Sequence, residues 1–103
     1  MMQPELAVVV LSVGAPPELR AAIDSLLRQS EPLEIVVVNS GGGSLADLLP
    51  EGQAIRTVEV PELLWPGAAR NAGIRATRAP WGAFLASDLV AAPDWAAQRL
   101  ALH

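Results

Sequence analysis

Two uninterrupted apolar runs constrain this chain more than any other feature: Leu6-Ala7-Val8-Val9-Val10-Leu11-Ser12-Val13 and Leu33-Glu34-Ile35-Val36-Val37-Val38-Asn39. A strand with one face in water alternates apolar and polar side chains, whereas valines at successive positions require both faces to be covered. That condition is met in parallel sheets, whose neighbouring strands are joined by crossovers of about a dozen residues or more, usually helices. The intervening segments have that form. Pro16 and Pro17 open a helix in which Leu19, Ala22, Ile23, Leu26 and Leu27 recur at helical spacing, with Glu18, Arg20, Asp24 and Arg28 elsewhere on its surface, ending near Gln29.

After the second strand, Ser40-Gly41-Gly42-Gly43-Ser44 breaks the pattern, and a short helical turn is expected from Leu45 to Leu49. A third strand is expected from Ala54 to Val60, a helix from Gly67 to about Ala76, a fourth strand from Trp81 to Ser87, and a last helix from Pro93 to about Leu102. The alternation predicts an α/β fold, a three-layer α/β/α arrangement around a mostly parallel four-stranded sheet, within one domain spanning residues 1–103. Trp81 and Trp95 are expected in the core, while Trp65 either packs inside or stacks on a planar ligand. The fourth strand is expected to be an open sheet edge, which self-association or a partner would cover.

The composition removes whole classes of chemistry. With 11 acidic against 7 basic residues and a net charge of -4, the chain has no basic face for nucleic acid. All the cations are arginines, and there is no Lys, Cys or Tyr, while the only His is His103 at the terminus. Schiff bases, thiol nucleophiles, disulfides and Cys/His zinc sites are therefore excluded, and a Ser-His-Asp triad would depend on the last residue. No targeting signal or membrane-length apolar run is visible, which leads to the expectation of a cytoplasmic protein without membrane association.

In a parallel sheet, ligands bind at the carboxyl ends of the strands, where the strand order reverses. Those ends carry Ser12-Val13-Gly14, Asn39-Ser40-Gly41 and Ala86-Ser87-Asp88. A carboxylate placed as Asp88 is either holds a divalent cation that bridges two phosphates or caps an ordinary turn. The glycines 41 to 43 either bring backbone N–H groups to a ligand or form a flexible turn, and Arg70 is either a phosphate-binding guanidinium or a solvated helix residue.

The order Val9-Val10-Leu11-Ser12, Pro17-Glu18-Leu19, Ser25-Leu26-Leu27-Arg28-Gln29-Ser30, Glu34-Ile35-Val36-Val37-Val38, Ala68-Ala69-Arg70-Asn71-Ala72-Gly73, Ala83-Phe84-Leu85-Ala86-Ser87-Asp88 and Pro93-Asp94-Trp95 resembles the nucleotide-binding half of family 2 glycosyltransferases. The resemblance implies a GT-A fold, a UDP or UDP-sugar ligand, Mn²⁺ or Mg²⁺, and inverting sugar transfer. Carried over by position, Ser12, Val13 and Gly14 line the base and ribose, and Asn39 and Ser40 occupy positions usually acidic. Arg70 lies near base or phosphates, and Ser87 and Asp88 hold the acidic signature whose last aspartate is the metal ligand. Asn39, Ser40 and Ala86 depart from the usual aspartates, and Gly14 stands where an aromatic side chain is common. The family's acceptor half, with its carboxylate base, is not matched by any segment of the 103 residues. Three readings stay open at this point: a glycosyltransferase, a nucleotide-binding module without turnover, and a small α/β interaction domain.

Overall fold

The computed structural model describes residues 3–101, and Met1, Met2, Leu102 and His103 lie outside the described residues. Four strands form one sheet, β1 (Leu6–Val13), β2 (Leu33–Ser40), β3 (Ile55–Val60) and β4 (Trp81–Ala86), in the order β3-β2-β1-β4. Every neighbouring pair is parallel, with Val9 opposite both Val36 and Phe84. The helices are α1 (Leu19–Leu27), α2 (Pro66–Arg75) and α3 (Trp95–Ala101). The α/β, three-layer expectation holds, and the sheet is parallel throughout rather than mostly so.

Period-two alternation along β1 divides the core. Leu6, Val8 and Val10 face α1 and α3 and join Leu19, Ile23, Leu26, Ile35, Val37 and Ala96, whereas Val9 faces α2 with Val36, Val38 and Ala69. The second layer is thin because α2 buries only Ala69 and Gly73. A Cβ on Gly73 would overlap the methyls of Val9 and stand 3.1 Å from Val38. Gly73→Ala should therefore overpack this interface and lower stability by about 1–3 kcal/mol, read as a shift in the urea midpoint. An unchanged midpoint would show that α2 can back away from the sheet at no cost.

Element ends differ from expectation in ways the hydrogen bonds explain. Pro16 and Pro17 precede α1, accepting from Leu19 and Arg20 N–H, so the helix proper starts at Leu19. The helix ends at Leu27 with Arg28 as its C-cap, and just beyond it the Gln29 side chain serves α3: its amide donates to the Ala92 carbonyl at 2.7 Å and accepts from Ala96 N–H at 2.9 Å. Ser25 accepts from Ala91 N–H at 2.9 Å in the same junction. The short helical turn expected from Leu45 to Leu49 is present as a hydrogen-bonded turn at residues 46–48, closed by Leu48 N–H to Leu45 C=O. Pro93 and Asp94 lie in the turn before α3, which starts at Trp95, and the expected helix end at Leu102 lies outside the described residues.

The expectation for Trp81 fails. It opens an edge strand, and its side chain is 44% exposed. Trp95 does pack against the α1/α3 core. At the amino rim, Glu34 of β2 accepts from the backbone N–H groups of Arg78 and Ala79 and pairs with Arg56 at 3.6 Å, fixing the α2–β4 connection.

Candidate functional site

The order β3-β2-β1-β4 places its reversal between β1 and β4. The chain leaves β1 through α1 on one face, and reaches β4 through α2 on the other. Such a reversal, at the carboxyl rim, is where α/β sheets commonly bind ligands. Ser12, Val13 and Gly14 stand at the end of β1 and in the loop after it, and Ser87 and Asp88 in the turn after β4. Helices run antiparallel to the strands they connect, so α2 begins at this same rim and sets Arg70 within its second turn.

Asn39 organises the loop after β1. Its side chain is 1% exposed and fully engaged: Oδ1 accepts from Ser12 Oγ–H at 2.8 Å and from Ala15 N–H at 2.9 Å, while Nδ2 donates to the Gly42 carbonyl at 2.8 Å. Ala15 sits at φ 51°, a left-handed conformation that costs a residue with a Cβ about 1–2 kcal/mol. The bond to Asn39 is what holds it there. Gly14 N–H donates to Ser40 C=O at 2.8 Å, and Gly41 N–H reaches the carbonyls of Val60 and Glu62, so the ends of β1, β2 and β3 form one braced rim. Gly43 runs so close to the β1 turn, at φ 90°, that a Cβ there would stand 2.7 Å from the Gly14 carbonyl oxygen.

These bonds sort the predicted residues. Ser12, Asn39 and Ser40 are buried and brace the loops, whereas Val13 and Gly14 are exposed to whatever lies above. After β4, Ser87 N–H donates to Leu11 C=O, closing β4 onto β1, and Asp88 projects from the following turn, exposed. The Arg70 guanidinium lies 5.8 Å from the Phe84 ring centroid, a cation–π contact that holds it over the β4 side of the sheet. Among the described residues no group of three or more Asp, Glu, His or Cys side chains gathers as a metal cage.

Apart from Trp65, which was expected either inside or stacked on a ligand, an apolar lining of this rim went unread in the sequence. Val13, Leu63, Trp65, Leu89 and Val90 are each more than half exposed, Trp65 at 84%. All five lie on strand ends or loops at the carboxyl rim. Trp65 thus belongs to the surface rather than the core. Its signal was present in the sequence, since Pro66 and Gly67 after it mark a helix start rather than a helix interior.

Residues 7–102 match the family model described as glycosyl transferase family 2. The chain is 33% identical over 96 residues to the succinoglycan biosynthesis protein ExoO of Rhizobium meliloti (strain 1021), covering 88% of this chain and 27% of that protein. Among solved structures it is similar to S. aureus TarS 1-349 in complex with UDP-GlcNAc, with a TM-score of 0.80 and 17% identity, covering 94% of this chain and 30% of that one. It is also similar to the mannosyltransferase PcManGT from Pyrobaculum calidifontis in complex with GDP-Man and Mn2+, with a TM-score of 0.73 and 22% identity, over 90% of this chain and 30% of the other. The chain spans less than a third of the length of each of these proteins.

Proposed function

The chain belongs to glycosyl transferase family 2, and from that membership we propose that it binds UDP or a UDP-sugar along the carboxyl rim, together with Mn²⁺ or Mg²⁺, as the donor-binding portion of a sugar transferase. The observation that carries this reading is the braced carboxyl rim, where Val13 and Gly14 lie exposed on the loop after β1 and Asp88 lies exposed on the turn after β4. The ligands of the TarS and PcManGT structures support it, since both are nucleotide sugars.

Each part of such a ligand meets suitable chemistry. The base and ribose would rest on the Val13-Gly14 turn, which Ser12, Asn39 and Ser40 hold from beneath, and Trp65 offers a stacking surface. The diphosphate would be met by the Arg70 guanidinium. Asp88 would hold the cation. Magnesium-type ions are commonly bound through one or two carboxylates completed by substrate phosphates, so a lone exposed aspartate suits an ion that arrives with the diphosphate and not one held in advance. When bound, the cation supplies positive charge to a departing diphosphate.

Titrating UDP with Mg²⁺ into the ¹⁵N-labelled chain tests the assignment. Amide shifts should cluster at residues 12–15, 40–43, 65–70 and 87–89. Clustering at the opposite rim, around Glu34, Arg56 and Arg78, or no shifts at millimolar UDP, would refute it.

A further inference from the structure

Ser25 is out of keeping with its place. It lies on the buried face of α1 with Ala22 and Leu26, 1% exposed, where an apolar side chain would pack without the cost of a buried hydroxyl. That hydroxyl is fully used: it donates to the Ala22 carbonyl at 2.6 Å and accepts from Ala91 N–H at 2.9 Å. Gln29, just past the helix, has the same target. Its Nε2 donates to the Ala92 carbonyl and to the Ser25 carbonyl, while its Oε1 takes Ala96 N–H, one of the first-turn donors that a helix leaves without an internal acceptor. Two polar side chains at the end of α1 are thus spent on residues 91–96.

Those residues follow the Asp88 turn directly. The chain leaves β4 with Ser87 N–H bonded to Leu11 C=O, turns through Leu89 N–H to Ala86 C=O, and is buried again at Ala91. Asp88, Leu89 and Val90, between these two anchors, are exposed. A tether of three residues leaves Asp88 little room to wander, since each residue adds at most about 3.6 Å of reach. We propose that Ser25 and Gln29 are positioning residues for the cation site: by clamping Ala91, Ala92 and Ala96 to α1, they fix the turn that presents Asp88 at the carboxyl rim. This inference rests on the reading of Asp88 as the cation's ligand. The last turn of α1 lies toward the opposite rim, because α1 runs antiparallel to β1, so both side chains act through the backbone of residues 91–96 and touch no ligand themselves.

Apparent affinity falls with the fraction of molecules that hold the binding geometry. Loss of the clamp should therefore show in the cation's share of UDP binding. Gln29→Met keeps the length and helix propensity of the side chain but removes every bond of its amide, and Ser25→Ala removes the bond to Ala91. Ile23→Val, which thins the same core without touching these bonds, is the control. In calorimetry with Mg²⁺ and with chelator, both variants should keep the parent's chelated UDP affinity within about twofold and cut the gain from Mg²⁺ about threefold or more, whereas Ile23→Val keeps the full gain. In the ligand-free chain, solvent exchange of Ser87 and Leu89 N–H, whose own acceptors are untouched, should quicken about threefold to tenfold in both variants, the worth of about one hydrogen bond. Ala15 N–H, held by Asn39, should exchange as in the parent. Variants that keep the full Mg²⁺ gain, or a loss shared by the chelated state or by Ile23→Val, would overturn the proposal. A parent indifferent to Mg²⁺ would overturn the cation reading itself, and Ser87 and Leu89 exchanging at the parent rate would overturn the clamp whatever UDP does.

Discussion

Asn39→Asp should lower stability at neutral pH by about 1–3 kcal/mol, the cost of a buried carboxylate that loses the donor to Gly42 and gains no cation. The exchange is nearly isosteric, yet the carboxylate can only accept. It would keep Ser12 Oγ–H and Ala15 N–H but face the Gly42 carbonyl with a second acceptor, at a position 1% exposed. Burial raises the folded-state pKa of the new acid above its unfolded value of about 3.9. Stability should therefore match the parent most closely below the unfolded pKa, and fall as the pH rises toward the folded one. A protonated acid can also donate to Gly42, which restores the third bond at low pH. Urea unfolding of parent and variant between pH 4 and pH 8 measures this. A difference that does not grow with pH would mean that Asn39 does not hold the loops through its amide.

Asp88→Asn should remove most of the metal dependence of UDP binding. A diphosphate at this rim has Arg70 and a cation at Asp88 to offset its charge, so chelating the cation from the parent should weaken UDP by about tenfold or more, equivalent to about 1.4 kcal/mol. In Asp88→Asn the affinities with and without Mg²⁺ should nearly coincide, at the weak, chelated level of the parent. Since no carboxylate cage is present among the described residues, Mg²⁺ alone should leave the parent unperturbed. Calorimetry of the four combinations decides the matter: a variant that keeps the parent's full Mg²⁺ effect would dismiss Asp88 as the ligand.

The sheet was legible because its evidence is local. Successive valines in β1 and β2 state two covered faces, and the intervening helical spacing states the crossovers, so the parallel order follows without knowledge of any contact. The site was legible only as positions. That Asn39 stands at a strand end can be read from the chain. That its amide spans Ser12, Ala15 and Gly42 cannot, because those bonds depend on two loops meeting after β1 and β2 have paired. Ser25 and Gln29 show the same limit, since they look like helix surface and instead secure the start of α3 more than sixty residues away. Trp81 misled for the opposite reason. A large aromatic at the start of an apolar strand reads as core, but among the described residues β4 has a strand on one side only.

The unequal depth of the two core layers has a dynamic consequence. α1 is anchored by Leu19, Ile23 and Leu26, whereas α2 rests on an alanine and a glycine and gains little hydrophobic free energy from docking. Elements with few buried apolar contacts open locally at low free-energy cost, well before the molecule unfolds as a whole. Arg70 rides on that thinly buried helix, tethered to the sheet by Phe84. An anion that draws on Arg70 would thus be bound through an element whose docking is worth little hydrophobic free energy, so that part of the binding energy would go into holding the helix on the sheet.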